Sequence, residues 1–183
     1  MDGMFSKRSA GFTLTELAIV MSIVAILMAI GMPSFKYVTT SNRISTELNG
    51  LLGDMQYARS QAIKEGLPVT VCSSVNGTQC DQVNTWQSGW IVFLDSDNNQ
   101  SVGANEAIIR TQTAFSSSDT FVPSAGSFTA ITFNREGYAK TQNPGTVTLE
   151  LHDSTSNTAW TRCLAITPVG MLSTQKYGAG NCS

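Results

Sequence analysis

The sequence predicts an α+β protein: a long N-terminal α-helix followed by an antiparallel, β-sandwich-like head. Three observations predict it. An uncharged, strongly apolar run fills residues 17–35. An amphipathic pattern with three/four spacing continues from it to about residue 63. Beyond Gly66 and Pro68 the chain changes to short β-branched and aromatic runs separated by turn residues.

The apolar run is nineteen residues long. As a helix it spans roughly 28 Å, close to the hydrocarbon thickness of a bilayer. It is apolar all round, so it is not a stripe facing a soluble core. Lys7 and Arg8 precede it, which places the N-terminus on the cytoplasmic side by the positive-inside bias. Gly31 and Pro33 are expected to bend or loosen the helix, because proline removes a backbone hydrogen bond and crowds the preceding turn. From Lys36 onward Tyr37, Val38, Ile44, Leu48, Leu51, Leu52, Met55, Ala58, Ala62 and Ile63 mark one buried face, with Lys36, Arg43, Glu47, Asp54, Arg59 and Lys64 mostly off it. Gly66 and Pro68 end the helix, which would then measure roughly 78 Å at 1.5 Å per residue.

Strands are expected at 69–72, 86–94, 106–111, 128–133, 146–151, 159–167 and 171–174. Turns fall at Asp95-Ser96-Asp97-Asn98-Asn99, Arg135-Glu136-Gly137, Asn143-Pro144-Gly145 and 153–157. The serine-rich stretch 115–127 reads as a connecting loop. Four segments result: a leader at 1–11, an apolar helix at 12–35, an amphipathic helix packed on the head at 36–66, and a β domain at 67–183.

Net charge is −2. Asp2, Lys7 and Arg8 give the first eleven residues +1, which leaves −3 for the remainder; this is not the footprint of a general nucleic-acid binder. Only 13% of residues are charged, which suits an exported, neutral-polar surface. All four cysteines, Cys72, Cys80, Cys163 and Cys182, follow the apolar run, and an even count beyond an export signal reads as two disulfides. Three connectivities are open. The expected one is Cys72–Cys80 and Cys163–Cys182, since each closes a loop bearing Gly or Asn between strands. Zinc is disfavoured, because no C-x₂-C pair occurs and the lone His152 is distant in sequence from every cysteine.

The stretch Gly11-Phe12-Thr13-Leu14-Thr15-Glu16 before the apolar run resembles the class III signal of type IV pilins and pseudopilins. Thr15 stands where that family usually has Ile or Leu. The resemblance implies cleavage by a prepilin peptidase after Gly11, methylation of the new amino terminus at Phe12, and retention of the helix as an assembly device. Ala29-Ile30-Gly31 is a weaker candidate for an ordinary signal cleavage. A carboxylate at the edge of an apolar helix needs a partner, and the resemblance implies that Glu16 meets the cationic amino terminus of a neighbouring subunit and fixes its register. The milder alternative is that Glu16 complements the helix dipole at the membrane interface.

Downstream, Ala58-Arg59-Ser60-Gln61-Ala62-Ile63-Lys64, Val69-Thr70-Val71-Cys72, Trp86-x-x-Gly89-Trp90-Ile91-Val92-Phe93-x-Asp95 and Ile131-Thr132-Phe133-x-x-x-Gly137 resemble the GspH/FimT/FimU branch of that family. The resemblance spans nearly the whole chain after the leader. It implies the type IV pilin fold and a minor pilin that helps prime pilus assembly and sits at or near the tip. The implied partners are prepilin peptidase, the inner membrane, other minor pilins and the major pilin. Before assembly the chain would cross the inner membrane once with its head in the periplasm; afterwards it would lie in the pilus. A minor pseudopilin of type II secretion is the alternative from the same branch. Another is a DNA-binding minor pilin for natural transformation. That second alternative is weakened here, because Gly170-Met171-Leu172-Ser173 lacks both arginines of the family's basic motif and leaves Lys140, Arg162 and Lys176 as the candidate DNA contacts.

Other motifs carry competing readings. Trp86, Trp90 and Phe93 are expected in the core rather than on a ligand-stacking surface. Asp95, Asp97, Asn99 and Glu106 have the oxygen spacing of a calcium loop, but Gln100 replaces the usual glycine and the flanks are strands. The competing reading is a solvated hairpin loop. Apart from that calcium site no cofactor is expected. His152 beside Asp153 has no nucleophile signature around it, and the chain reads as non-enzymatic.

Overall fold

The computed structural model describes residues 11–142 and 144–183. The leader with Lys7 and Arg8, and Asn143 of the third expected turn, lie outside the described residues.

One helix, α1, runs over Leu14–Glu65. Thr13 starts it: its Oγ accepts the Glu16 N–H at 3.2 Å, which satisfies one of the free amide donors at the helix start, and its carbonyl accepts the Leu17 N–H in the first helical hydrogen bond. Gly66 ends it, donating its N–H to the Ala62 carbonyl, and Pro68 follows. The backbone is helical through Gly31 and position 33. Contacts divide the chain between Thr39 and Thr40 into two units.

In the first unit the apolar side chains are exposed: Leu17, Ile19, Met21, Ile23, Ile26, Leu27, Met28, Ile30, Met32 and Phe35 all stand more than half open. Among the described residues one helix, α1, is long and apolar enough to cross a membrane, with mean hydropathy 2.3 over its most apolar stretch.

The second unit is the head. Its share of α1 buries Ile44, Leu48, Leu51, Met55, Ala58 and Ala62, none more than 4% exposed. Spacing of four and three keeps these residues on one face. Nine strands follow: β1 (Val69–Ser73), β2 (Gly89–Leu94), β3 (Ile108–Thr113), β4 (Thr120–Pro123), β5 (Ala130–Phe133), β6 (Ala139–Thr141), β7 (Val147–His152), β8 (Arg162–Ile166) and β9 (Leu172–Lys176). They form two antiparallel sheets, ordered β3-β2-β1-β5-β6 and β4-β7-β8-β9. One core joins α1 to both sheets, with Val69, Val71, Val92, Ile131 and Phe133 from the first and Phe121, Leu149, Leu151, Leu164 and Ile166 from the second. Truncating one such aliphatic, Leu51→Ala for example, costs about 2–5 kcal/mol.

The first sheet is buried on both faces. Alternation along β2 sends Trp90 and Val92 to the main core and Ile91 and Phe93 to a second cluster with Cys72 and Ala130. Cys80, Val102 and Ile108 cover that second cluster. Two loops therefore close this face: the one stapled by Cys72–Cys80 and the acidic loop after β2. The second disulfide, Cys163–Cys182, ties the C-terminus to β8.

Tyr37, Val38 and Ile63, expected on the buried face of α1, are instead exposed. Three further elements differ from the expected pattern. Residues 86–88 form a 3-10 turn rather than the start of a strand. Gly89 has φ +111, and a Cβ there would lie 2.6 Å from the Gln112 carbonyl and 2.8 Å from the Ser74 carbonyl, so the chain changes direction where two backbones close on it. The stretch 115–127 contains β4, whose Phe121 is fully buried. This strand is four residues long and ends at Pro123, so its alternation is hidden among serines. The short strand β6 pairs with β5 through three residues and lacks a pattern long enough to read.

Gly170 occupies the β8–β9 turn at φ +76, where a Cβ would sit 2.1 Å from the Gly137 carbonyl. That carbonyl accepts the Arg59 Nε–H at 2.9 Å, so one side chain of α1 meets turns belonging to both sheets. Gly170→Ala is therefore expected to destabilise the head by about 2–3 kcal/mol or more, from a strained backbone plus a backbone clash. Chemical unfolding of the purified variant checks this.

Candidate functional site

The motif Gly11 to Glu16 lies at the start of α1. Gly11 and Phe12 precede the helix, and Phe12 is 82% exposed. Among the described residues no heavy atom would come within 4 Å of a Cβ on Gly11. Glu16 falls in the first helical turn, where a carboxylate complements the partial positive charge of the helix start. Thr13 and Glu16 have the T-x-x-E spacing that marks a capped start. The signal is present in the sequence but is overshadowed there by the cleavage motif. Further along α1, Gly31 opens a notch bounded by Leu27, Met28, Met32 and Phe35.

The acidic loop brings Asp95, Asp97 and Glu106 together, with one oxygen of each within 4.8 Å of the others. These oxygens are already engaged. Asp95 is fully buried; Oδ1 accepts the Asn99 N–H at 3.0 Å, and Oδ2 accepts the Gln100 N–H at 3.1 Å and the Thr70 hydroxyl at 2.5 Å. Glu106 accepts the backbone N–H groups of Ser96 and Gly103. Burial would raise its carboxyl, but these hydrogen bonds together outweigh burial and hold it below its ordinary value. Asp97 accepts from Asn99, and the Asn99 Oδ1 accepts the Ser101 N–H. Gln100, standing where a calcium loop has glycine, takes φ +61, and its side-chain amide donates to Thr132. The loop is thus a cover pinned to β1 and β5 through Asp95, Thr70 and Thr132.

The candidate DNA contacts fall on different sheets. Arg162 and Lys176 face each other across β8 and β9, whereas Lys140 lies on β6 in the other sheet. Arg162 donates to the carbonyls of Ala159 and Thr161. His152 has its ring nitrogens 3.2 Å from Glu150 Oε2 and from the Thr161 hydroxyl, while Glu150 Oε1 accepts from Ser183. This arrangement anchors the C-terminus. All four cysteines are oxidised, which leaves no thiolate for zinc.

Helix, cleavage motif and paired antiparallel sheets define a pilin-like protein. The family described as "Type II transport protein GspH" matches residues 47–170, and the "Prokaryotic N-terminal methylation motif" matches residues 6–32. The chain belongs to the GspH family of type IV pilins and pseudopilins. It is 32% identical over 127 residues to the type IV narrow pilus major component PilA5 of Thermus thermophilus, covering 65% of this chain and 90% of that one. Two crystal structures of the type IV minor pilin FimU of Pseudomonas aeruginosa share its fold at 19% identity. Their TM-scores are 0.55 and 0.52, covering 73% and 72% of this chain and 89% and 91% of FimU. Proteins of this family are structural subunits.

Because the loop carboxylates are satisfied from within, the head is expected to hold its shape without an added ion. Millimolar calcium should shift its unfolding temperature by less than ~1 °C, whereas a well-saturated site would add on the order of 2–3 kcal/mol. Asp95→Ala should cost about 2–3 kcal/mol with calcium or with chelator, since it strands buried donors. Thermal unfolding under both conditions checks both statements.

Proposed function

We propose that this chain is a minor subunit of a type IV pilus. A prepilin peptidase cuts between Gly11 and Phe12, the new amino terminus is methylated, and residues 12–35 are kept. These residues hold the subunit in the inner membrane with its head in the periplasm. They then pack among the helices of other subunits as the protein primes assembly and takes a place at or near the tip. Residues 36–66 serve as the amphipathic helix packed on the head, and residues 67–183 as its β domain.

The observation that carries this reading is the bare apolar stretch of α1. Its ten half-open or more exposed large side chains would each gain about 1.5–3 kcal/mol on leaving water. A soluble monomer does not leave that much contiguous apolar surface uncovered. A bilayer covers it first and neighbouring helices cover it next, with the Gly31 notch admitting an adjacent side chain and Gly31 with Pro33 providing the local looseness that packing demands.

Glu16 supplies direction. In an apolar surrounding a carboxylate without a counter-charge is costly, and the amine of Phe12 on a neighbouring subunit is the counter-charge the processing step creates. The pairing fixes axial register, because only one stagger joins the two ends.

Two other readings draw on particular comparisons. The Thermus thermophilus relative is described as a major component, which favours an abundant filament subunit. The family description names type II transport, which favours a pseudopilin. The proportion of this chain to other subunits in purified filaments distinguishes the first; loss of pili or of secretion in a deletion strain distinguishes the second.

Glu16→Ala is expected to leave cleavage intact and to lower the amount of the chain in sheared filaments by on the order of tenfold or more, the equivalent of about 1.4 kcal/mol of lost pairing. Quantitative mass spectrometry of membranes and filaments measures it. Equal incorporation of mutant and wild type would refute the register role.

A further inference from the structure

Glu47 and Asp119 meet in the head where α1 packs on the segment leading into β4. Arg43, one turn before Glu47, holds Asp119 with a two-pronged bridge: Nε donates to Oδ2 at 2.7 Å and Nη2 to Oδ1 at 2.8 Å. The Asp119 side chain is fully buried. Ser117 donates its hydroxyl to Glu47 Oε1 at 2.8 Å. The other oxygen, Glu47 Oε2, is shielded from solvent and receives no hydrogen bond. The same Ser117 hydroxyl oxygen accepts the Asp119 N–H at 3.4 Å, which holds the two acidic residues beside each other.

Two neighbouring carboxylates repel, and a buried acceptor without a donor is costly. One proton removes both problems. A protonated Glu47 becomes a donor, and each Asp119 oxygen keeps a lone pair beyond the one that Arg43 uses. We propose that Glu47 and Asp119 form a proton-sharing latch, which fastens residues 114–119 to α1 when Glu47 is protonated and loosens when it ionises. The charged groups around the pair are Arg43 from α1, Asp119 from the segment before β4, and Asp153 from the loop after β7, which acts on Arg43. One cation thus serves three carboxyl groups, so the cluster is short of positive charge when all are ionised.

Burial is the largest influence on Glu47, and with the Asp119 carboxyl it pushes the group up to about 7, against the opposing pull of the Ser117 hydroxyl and of Arg43. The folded value lies above the ordinary 4.5, so the folded state holds the proton more tightly than the unfolded chain. The stabilisation is complete below about pH 4.5 and fades as pH rises through about 7. The effect reaches the core, because Phe115 on the latched segment meets Trp90 edge-on with ring centroids 6.0 Å apart and stacks on Phe121.

The test is thermal unfolding of the full chain in detergent micelles, followed by near-ultraviolet circular dichroism of the tryptophans from pH 5 to 8.5. The wild type should lose ~3 °C over this range, after discounting for the partial exposure of Glu47. Glu47→Gln, whose amide donates to Asp119 at every pH, should lose less than a third of that. In a second measurement, the Glu47 carboxyl carbon followed by NMR should titrate with a midpoint near 7 in the folded wild type. A wild type as flat as the variant, a variant as steep as the wild type, or a Glu47 midpoint near 4.5 would each overturn the latch.

Discussion

The structure depends on a mismatch between one stretch of chain and water. Residues 17–35 carry no charge, form continuous helix, and turn large apolar side chains outward all round. A lone amphipathic helix escapes such a mismatch by burying one face. This stretch has no polar face to leave outside, so its cover must surround it. Lipid and a bundle of like helices are the two environments that do so. The rest of the proposed account follows from moving one helix between them.

The same helix has a second character after Thr40. There its small and aliphatic residues at four/three spacing pack into the core that both sheets share, and polar contacts lock the arrangement. Asp54 accepts from Trp90 of β2 and from Arg110 of β3, whose guanidinium also lies 3.7 Å over the Tyr57 ring. Arg59 reaches the Gly137 carbonyl, and Arg43 grips Asp119. These contacts spread from near the start to near the end of the head's share of α1. These several fastening points hold this part of the helix in its own head.

The sequence makes most of this architecture legible, for identifiable reasons. The helix has long, strong periodicity, a Thr/Glu start, and Gly66 with Pro68 at its end. The central strands β1, β2, β5, β7 and β8 are dense in β-branched and aromatic residues. The disulfides follow from an even count of cysteines paired in chain order. What stays hidden is set by contacts far apart in the chain. Strand β4 exists because Phe121 fills a space between Trp90's neighbour Phe115 and the second sheet, and its serine-rich flanks carry no sign of that. Trp86 turns inward on Phe128, with its ring nitrogen bonded to the Phe128 carbonyl, so a strong strand pattern becomes a turn. Oxygen spacing marks the acidic loop as a candidate cation site, and the structure brings Asp95, Asp97 and Glu106 together. The loop's own backbone amides bond those oxygens, and the Thr70 hydroxyl that joins them comes from a strand 25 positions away. Glu47 is similar: it reads as a solvent-facing helix residue until Asp119, 72 positions later in the chain, is placed against it.

The central claim is that the apolar helix survives maturation and begins with Phe12. Intact mass and N-terminal sequencing of the chain recovered from sheared filaments test it most directly. The account predicts a chain that starts at Phe12, carries one added methyl group on its amine, and retains residues 12–35. A product that starts beyond Phe35, recovered free of filament and membrane, would contradict it.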